Sequence, residues 1–288
     1  MIKKSFQNLY KNPVLFVPDF IYAVISFVLI YFLYSITGFN TILASLPDGF
    51  EAQVEAFQTF FATNMGQILI SVAVFAVVTF LIGVTALTTK FVLMKYLINK
   101  KRINLFKAWQ MGHKYFWEVV LVRVYVYIIS LVTLLLISLI SLLLYMLINP
   151  FSPEFASFFS ILVGGILSMV AIVSLSWILL YRYPIMFLTS KKNAFTVLKN
   201  SYRYFKQKSG HVIISWLVIL AVSAIFVLIG ILLNAGYSGF VEGMSQTYLL
   251  LAIGVAWTMF MTVYDLVPSL WKFLYLFGKF KEKPLRNP

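Results

Sequence analysis

The chain has no cysteine, only two histidines and only nine carboxylates, and each shortage closes a class of function. Without cysteine there is no disulfide, no thiolate metal ligand and no cysteine nucleophile. His113 and His211 alone cannot build an HExxH zinc site or a three-histidine site. The sequence also lacks paired intramembrane aspartates, a Walker loop and the dense aspartate cluster of a CDP-alcohol transferase. Ser209-Gly210-His211 matches part of a lipid-phosphatase signature. Lys208 stands where that signature has proline, however, no Lys-and-Arg-Pro element precedes it, and no histidine follows His211. These residues point away from an enzyme, and no cofactor or metal is expected.

Charge as a whole is scarce: 11% of the 288 residues are charged, whereas 61% are apolar and 18% aromatic. A soluble domain of that composition would lack polar surface, so lipid is expected to cover the remainder. Lys and Arg are absent from 36–66, 148–156 and 236–247, yet 22 of the 23 fall in four patches at 1–13, 88–116, 181–211 and 265–288. The exception is Arg123. Cytoplasmic loops retain Lys and Arg, so both termini are expected in the cytoplasm. A net charge of +14 without any groove-reading motif is explained by this bias and not by nucleic acid. The first apolar run is of spanning length with no small-x-small site after it, so a cleavable signal peptide is not expected.

A hydrocarbon core about 30 Å thick needs roughly 20 helical residues, and six segments qualify: 14–35, 68–88, 119–148, 156–180, 212–234 and 247–268. The expected fold is an all-α polytopic integral membrane protein of the cytoplasmic membrane. It is read as one transmembrane domain over 1–288, with three hairpin units at 1–87, 88–180 and 181–288. Phe50, Val54, Phe57 and Phe61 follow the Leu46-Pro47-Asp48-Gly49 break at helical spacing, which predicts a short helix over 50–62 on the outer membrane surface. Asn149-Pro150-Phe151-Ser152-Pro153 and Gly236-Tyr237-Ser238-Gly239 read as turns. Apolar stripes precede the odd-numbered spans: Ile2, Phe6 and Leu9; Phe106, Trp109 and Phe116; Phe195, Leu198, Tyr202 and Phe205. Edged by Lys and Arg, they suit amphipathic helices half sunk in the headgroup layer. Gly164, Gly165, Ser168, Ala171 and Ser174 mark the fourth span for close helix packing.

Two sets of residues are candidates for a site. Lys100, Lys101, Arg102, Lys107, Lys191, Lys192, Lys199 and Arg203 form a basic inner rim suited to anionic lipid. Asp19, Glu118, Arg123, Arg182 and Asp265 lie at similar depth near the inner ends of spans, where charges need partners or water. An intramembrane network is expected, with Asp265 paired to Arg123 or Arg182. Pro18, Pro184 and Pro268 are expected to loosen the helices beside these charges.

Two stretches resemble a family. Tyr183-Pro184, Ala194 and Val197-Leu198-Lys199-Asn200-Ser201 are similar to the "Y-x-P … A-L-K-x-S" stretch of the membrane domain attached to some glycerophosphodiester phosphodiesterases and found in related stand-alone prokaryotic six-span proteins. Val263-Tyr264-Asp265-Leu266 resembles that family's terminal "Y-Y-D-L-R" element, with Val267-Pro268 in place of the arginine. The resemblance implies six spans with cytoplasmic termini, and it implies no catalysis, since this chain has no phosphodiesterase domain. The expected function is therefore a non-enzymatic membrane component that engages anionic lipid or a partner subunit through its basic cytoplasmic rim. The alternative is a transporter or scrambler of a lipid or small amphiphile.

Overall fold

The computed structural model describes residues 2–47, 49–189, 193–241 and 247–285, with backbone alone at 44 and 247–252. Among these residues the chain is helical without a strand. In order come α1 (Ile2–Lys11), a 3-10 turn (Pro13–Leu15), α2 (Val17–Ile36), α3 (Phe39–Ala44), α4 (Phe50–Ile98), α5 (Leu105–His113) and α6 (Phe116–Ile148). Then follow α7 (Pro153–Leu179), α8 (Arg182–Leu188), α9 (Ala194–Gln207), α10 (Ser209–Val241) and α11 (Thr247–Glu282). Six helical stretches have the length and hydropathy to cross a membrane, which makes this an all-α polytopic membrane protein.

Local chemistry sets several helix starts. Asn104 Oδ1 accepts from the Lys107 amide at 2.8 Å to open α5, and Asn193 Oδ1 accepts from the Thr196 amide at 3.2 Å to open α9. Ser152 caps α7 just ahead of Pro153, whose missing amide hydrogen costs nothing at the first helical position. Pro18 and Pro184 likewise sit in first turns, at the second and third helical positions, so neither loosens its helix. Pro268 alone is inside a helix, and α11 runs through it to Glu282.

α2 packs on α4, α6 on α7 and α10 on α11, giving three hairpins, with α1, α5 and α9 laid at one end. That end carries most of the Lys and Arg and is called the basic end below. Nearly all burial is there. Phe91 joins three elements, its ring 4.8 Å from Tyr183 of α8 and 4.8 and 5.4 Å from Phe273 and Phe277 of α11. Phe6 of α1 stacks on the fully buried Trp271 at 5.3 Å. In every candidate span at most 17% of the most apolar window is buried, so the far halves turn their side chains to lipid and not to one another.

Three expectations change. Residues 50–62 are not a separate surface helix but the first turns of α4, which is 49 residues long. No proline interrupts it, and Gly66 and Gly83 cost only about 1 kcal/mol each. Part of the apolar stripe is met by α3, since Phe57 and Phe61, with Phe60, stand 5.6–6.2 Å from Phe39, while Phe50 and Val54 are exposed. Gly236-Tyr237-Ser238-Gly239 is helical, held by Tyr237 stacked on Trp257 at 4.7 Å and by the Trp257 indole donating to Asn234 at 3.0 Å. The sixth span does not stop at 268, because Leu270, Trp271, Leu274 and Phe277 of its extension are buried in the core.

The three stripes do form amphipathic helices; on α1 the stripe turns inward through Phe6 and Leu9, but on α5 and α9 part of the aromatic stripe does not. Phe106, Trp109, Phe195 and Tyr202 are exposed, whereas Ala108 and Gly112 of α5, and Val197, Asn200, Ser201 and Tyr204 of α9, face inward. Small residues allow close approach, and a Cβ on Gly112 would stand 3.1 Å from the Thr89 amide nitrogen of α4. The small residues of α7 also pack within the chain, where Gly164 faces Ser141 of α6.

Candidate functional site

Near the junction of α4 and α5 the backbone makes a capped end. Lys100 takes φ 57°, the left-handed region that glycine occupies freely, and the Lys101 amide donates back to the Tyr96 carbonyl at 2.9 Å. Lys281 of α11 completes the cap, its Nζ donating to the Ile98 carbonyl at 2.9 Å and to Asn99 Oδ1 at 3.0 Å. The turn throws Lys100, Lys101 and Arg102 onto the wall of a 580 Å³ pocket whose opposite wall carries Asn8, Asn12 and Leu15. Among the described residues no carboxylate lines it. A second opening, a 380 Å³ apolar groove, is lined by neighbouring parts of the same segments: Pro18 follows Leu15 by one turn, and Leu105, Phe106 and Trp109 follow Ile103. Basic pocket and apolar groove are thus lined by consecutive parts of the same two segments.

Lys107 is exposed on α5. Lys199 and Arg203 are exposed on α9, a helix that packs on α6, α7, α8 and α10 and contributes nothing to this pocket. The predicted rim therefore divides into two separate surfaces. Lys191 and Lys192 lie outside the described residues. On α9, burial pushes the Tyr204 hydroxyl above the usual tyrosine range, so it remains a donor, to the Lys283 carbonyl at 3.0 Å.

The five intramembrane charges do not form one network. Asp19 is in the first turn of α2, where a helix dipole favours an anion, and both of its oxygens accept from Lys90 Nζ at 2.9 and 2.8 Å. The two residues are 8% and 4% exposed, so this is a desolvated pair. Lys90 was hidden from the sequence reading inside a patch taken for a loop. The signal that could have found it is the apolar Phe91-Val92-Leu93-Met94 directly after it, which continues the helix past the charge. Glu118 is half-buried in the first turn of α6 with no ion pair among the described residues, where the helix dipole stabilises it. Asp265 is exposed and has no Arg or Lys within 4.0 Å among the described residues, contrary to the pairing expected from depth alone. Its neighbour Tyr264 takes the inward direction, its hydroxyl donating to the Phe226 carbonyl, and this turns Asp265 outward.

Arg123 and Arg182 are brought together, though around a ring and not around Asp265. The Arg182 guanidinium stands 4.7 Å from the centre of the Tyr183 ring, and both arginines lie close enough to act on the Tyr183 hydroxyl. Arg123 also faces Phe80 at 5.6 Å. His211 is near a different cluster, 3.4 Å from the Tyr181 hydroxyl, which donates to Ser215 at 2.9 Å. The motif residues of α8 and α9 serve packing: Tyr183 and Pro184 are buried, and the Ser201 hydroxyl donates to the Ile178 carbonyl of α7. No family model, curated protein or solved structure matches the chain.

Proposed function

We propose that the protein is a non-enzymatic component of the cytoplasmic membrane that holds anionic lipid at its basic, cytoplasmic end. The observation that supports this is the 580 Å³ pocket with Lys100, Lys101 and Arg102 on its wall, with a 380 Å³ apolar groove on neighbouring parts of the same segments. An anionic headgroup suits the first and an acyl chain the second. Each cation near an anionic leaflet contributes about 1 kcal/mol, so three together favour an anionic over a neutral lipid by roughly a hundredfold. Lys100 adds a further argument. A side chain in the left-handed region costs roughly 1–2 kcal/mol relative to glycine, so a role for the Lys100 ammonium would offset a local strain.

Lys100→Gly is the sharpest test, because stability and binding should move in opposite directions. The variant should unfold at higher temperature in detergent, by an amount corresponding to about 1 kcal/mol. In native mass spectrometry it should retain less phosphatidylglycerol, and Lys100→Gln/Lys101→Gln/Arg102→Gln should retain almost none at raised salt. Unchanged retention of phosphatidylglycerol in the triple variant overturns the proposal.

Transport or scrambling of a lipid is the second reading, and the seam between α6 and α7 favours it. Two clefts, of 440 and 270 Å³, lie along this seam and carry Ser138, Ser141, Ser160, Ser130, Thr133 and Ser176. Hydroxyls along a membrane-facing seam lower the cost of moving a polar headgroup along it.

A further inference from the structure

The charges at the basic end do not balance inside the bundle. Lys90, Arg123, Arg182 and Lys272 are near enough to influence one another in pairs or through Tyr183, and Asp19 is the carboxylate among them, already taken by Lys90. Among the described residues neither arginine has a carboxylate within 4.0 Å. Rings partly stand in for one, but a cation that deep is costly without a counter-charge.

The donors are equally out of balance. Arg182 uses one terminal nitrogen on the Leu179 carbonyl at 3.0 Å, while its Nε is buried and donates to nothing. Nε is closed off from the cleft, which leaves the terminal nitrogens, the end-on edge of the guanidinium fork, to meet the oxygens of a phosphate. Arg182 lines the 270 Å³ cleft between α6 and α7, together with Ser130, Thr133 and Ser176. Thr133 and Ser176 spend their hydroxyl hydrogens on Ile129 and Ile172 of their own helices, both at 2.7 Å. The Ser130 hydroxyl has no partner among the described residues and is free to donate. Val126, Leu134, Ala171, Leu175, Leu179 and the 60% exposed Ile172 form the rest of the wall, so the cleft opens on lipid and not on water.

We infer that this cleft is a second lipid site that takes the phosphate of a membrane phospholipid, with Arg182 and Ser130 as its donors and the acyl chains lying along the α6–α7 seam. Arg123 sits seven residues before Ser130, two turns along the same face of α6, and adds positive potential from the basic end. The site is independent of the Lys100 pocket, shares no residue with it, and differs from it in kind. A phosphate held in a desolvated fork is insensitive to salt, whereas one held by exposed lysines is screened.

The experiment uses the full-length protein after delipidation, with short-chain phosphatidylglycerol, diacylglycerol and inorganic phosphate as separate probes in native mass spectrometry. The Lys100→Gln/Lys101→Gln/Arg102→Gln background removes the exposed pocket, so a lipid still bound at high salt reports on the cleft. That lipid should bind about tenfold more weakly after Ser130→Ala and at least that much more weakly after Arg182→Lys, which keeps the charge and loses the fork. Neither change removes a packed apolar group, and Arg182→Gln serves as the charge-removing comparison. Equal binding in Ser130→Ala and Arg182→Lys overturns the proposal. Binding of diacylglycerol as tight as phosphatidylglycerol removes the role of phosphate, and inorganic phosphate displacing the lipid at equal concentration makes this a free-anion site instead.

Discussion

At the scale of single residues the Lys90–Asp19 pair is the most consequential contact among the charges. Both side chains are nearly excluded from water, and Nζ meets both carboxylate oxygens, so the pair is well made but expensive to assemble. Removing one partner strands the other. Asp19→Ala should lower stability in detergent by about 3–5 kcal/mol, while the volume-matched Asp19→Leu/Lys90→Met should recover most of the loss. A double-mutant cycle on thermal unfolding measures this, and additive losses would show that the two residues do not depend on each other. Depth, which a sequence does reveal, identified Asp19, Arg123 and Arg182 as charges needing explanation. Direction around the helix was not legible. Whether a side chain faces Lys90, Tyr183 or lipid depends on which neighbour occupies the inward position, as Tyr264 does beside Asp265.

At the scale of elements, the positions of the helices followed from hydropathy and charge, while their ends and faces did not. The turn signals at Gly49 and Gly236 are alike on paper, yet one starts a helix and the other lies inside one, because Tyr237 has Trp257 to stack on. Amphipathic α5 shows the same limit. Its aromatic residues appeared to be the anchoring face, but aromatic side chains suit lipid as well as a protein core, and the tight contact falls to the smallest residues. Gly112 packs closely on Thr88 and Thr89 of α4, next to Lys90 in the chain, and belongs to the element that walls the apolar groove. A methyl group there would press on backbone at 3.1 Å, which cannot move aside as a flexible side chain can. Gly112→Ala should therefore cost about 1–3 kcal/mol, although alanine is intrinsically the better helix former. Thermal unfolding of the variant in detergent measures it, and a gain in stability would mean that α5 is free to shift outward.

At the scale of the whole molecule, three hairpins are joined at one end and surrounded by lipid at the other. Most of the burial and the amphipathic helices belong to the basic end, so tertiary stability and the two openings proposed for lipid depend on the same region. The far end is different in charge as well as packing: Glu51, Glu55 and Glu154 open α4 and α7 there, and Lys and Arg are absent from 36–66 and 148–156. Such a gradient is what the positive-inside bias acts upon, and it is the ground for proposing that the basic end faces the cytoplasm. The absence of native cysteine makes the test free of background. Ser45→Cys, beyond the far end of α3, should react with a membrane-impermeant maleimide in intact cells. Lys101→Cys, on the exposed α4–α5 connection, should react only once the membrane is opened. Labelling of Lys101→Cys in intact cells would reverse the topology and put both lipid openings on the outer face. The anionic leaflet invoked for the Lys100 pocket would then be the wrong one, whereas the phosphate cleft at Arg182, which needs a phospholipid but not a particular leaflet, would stand.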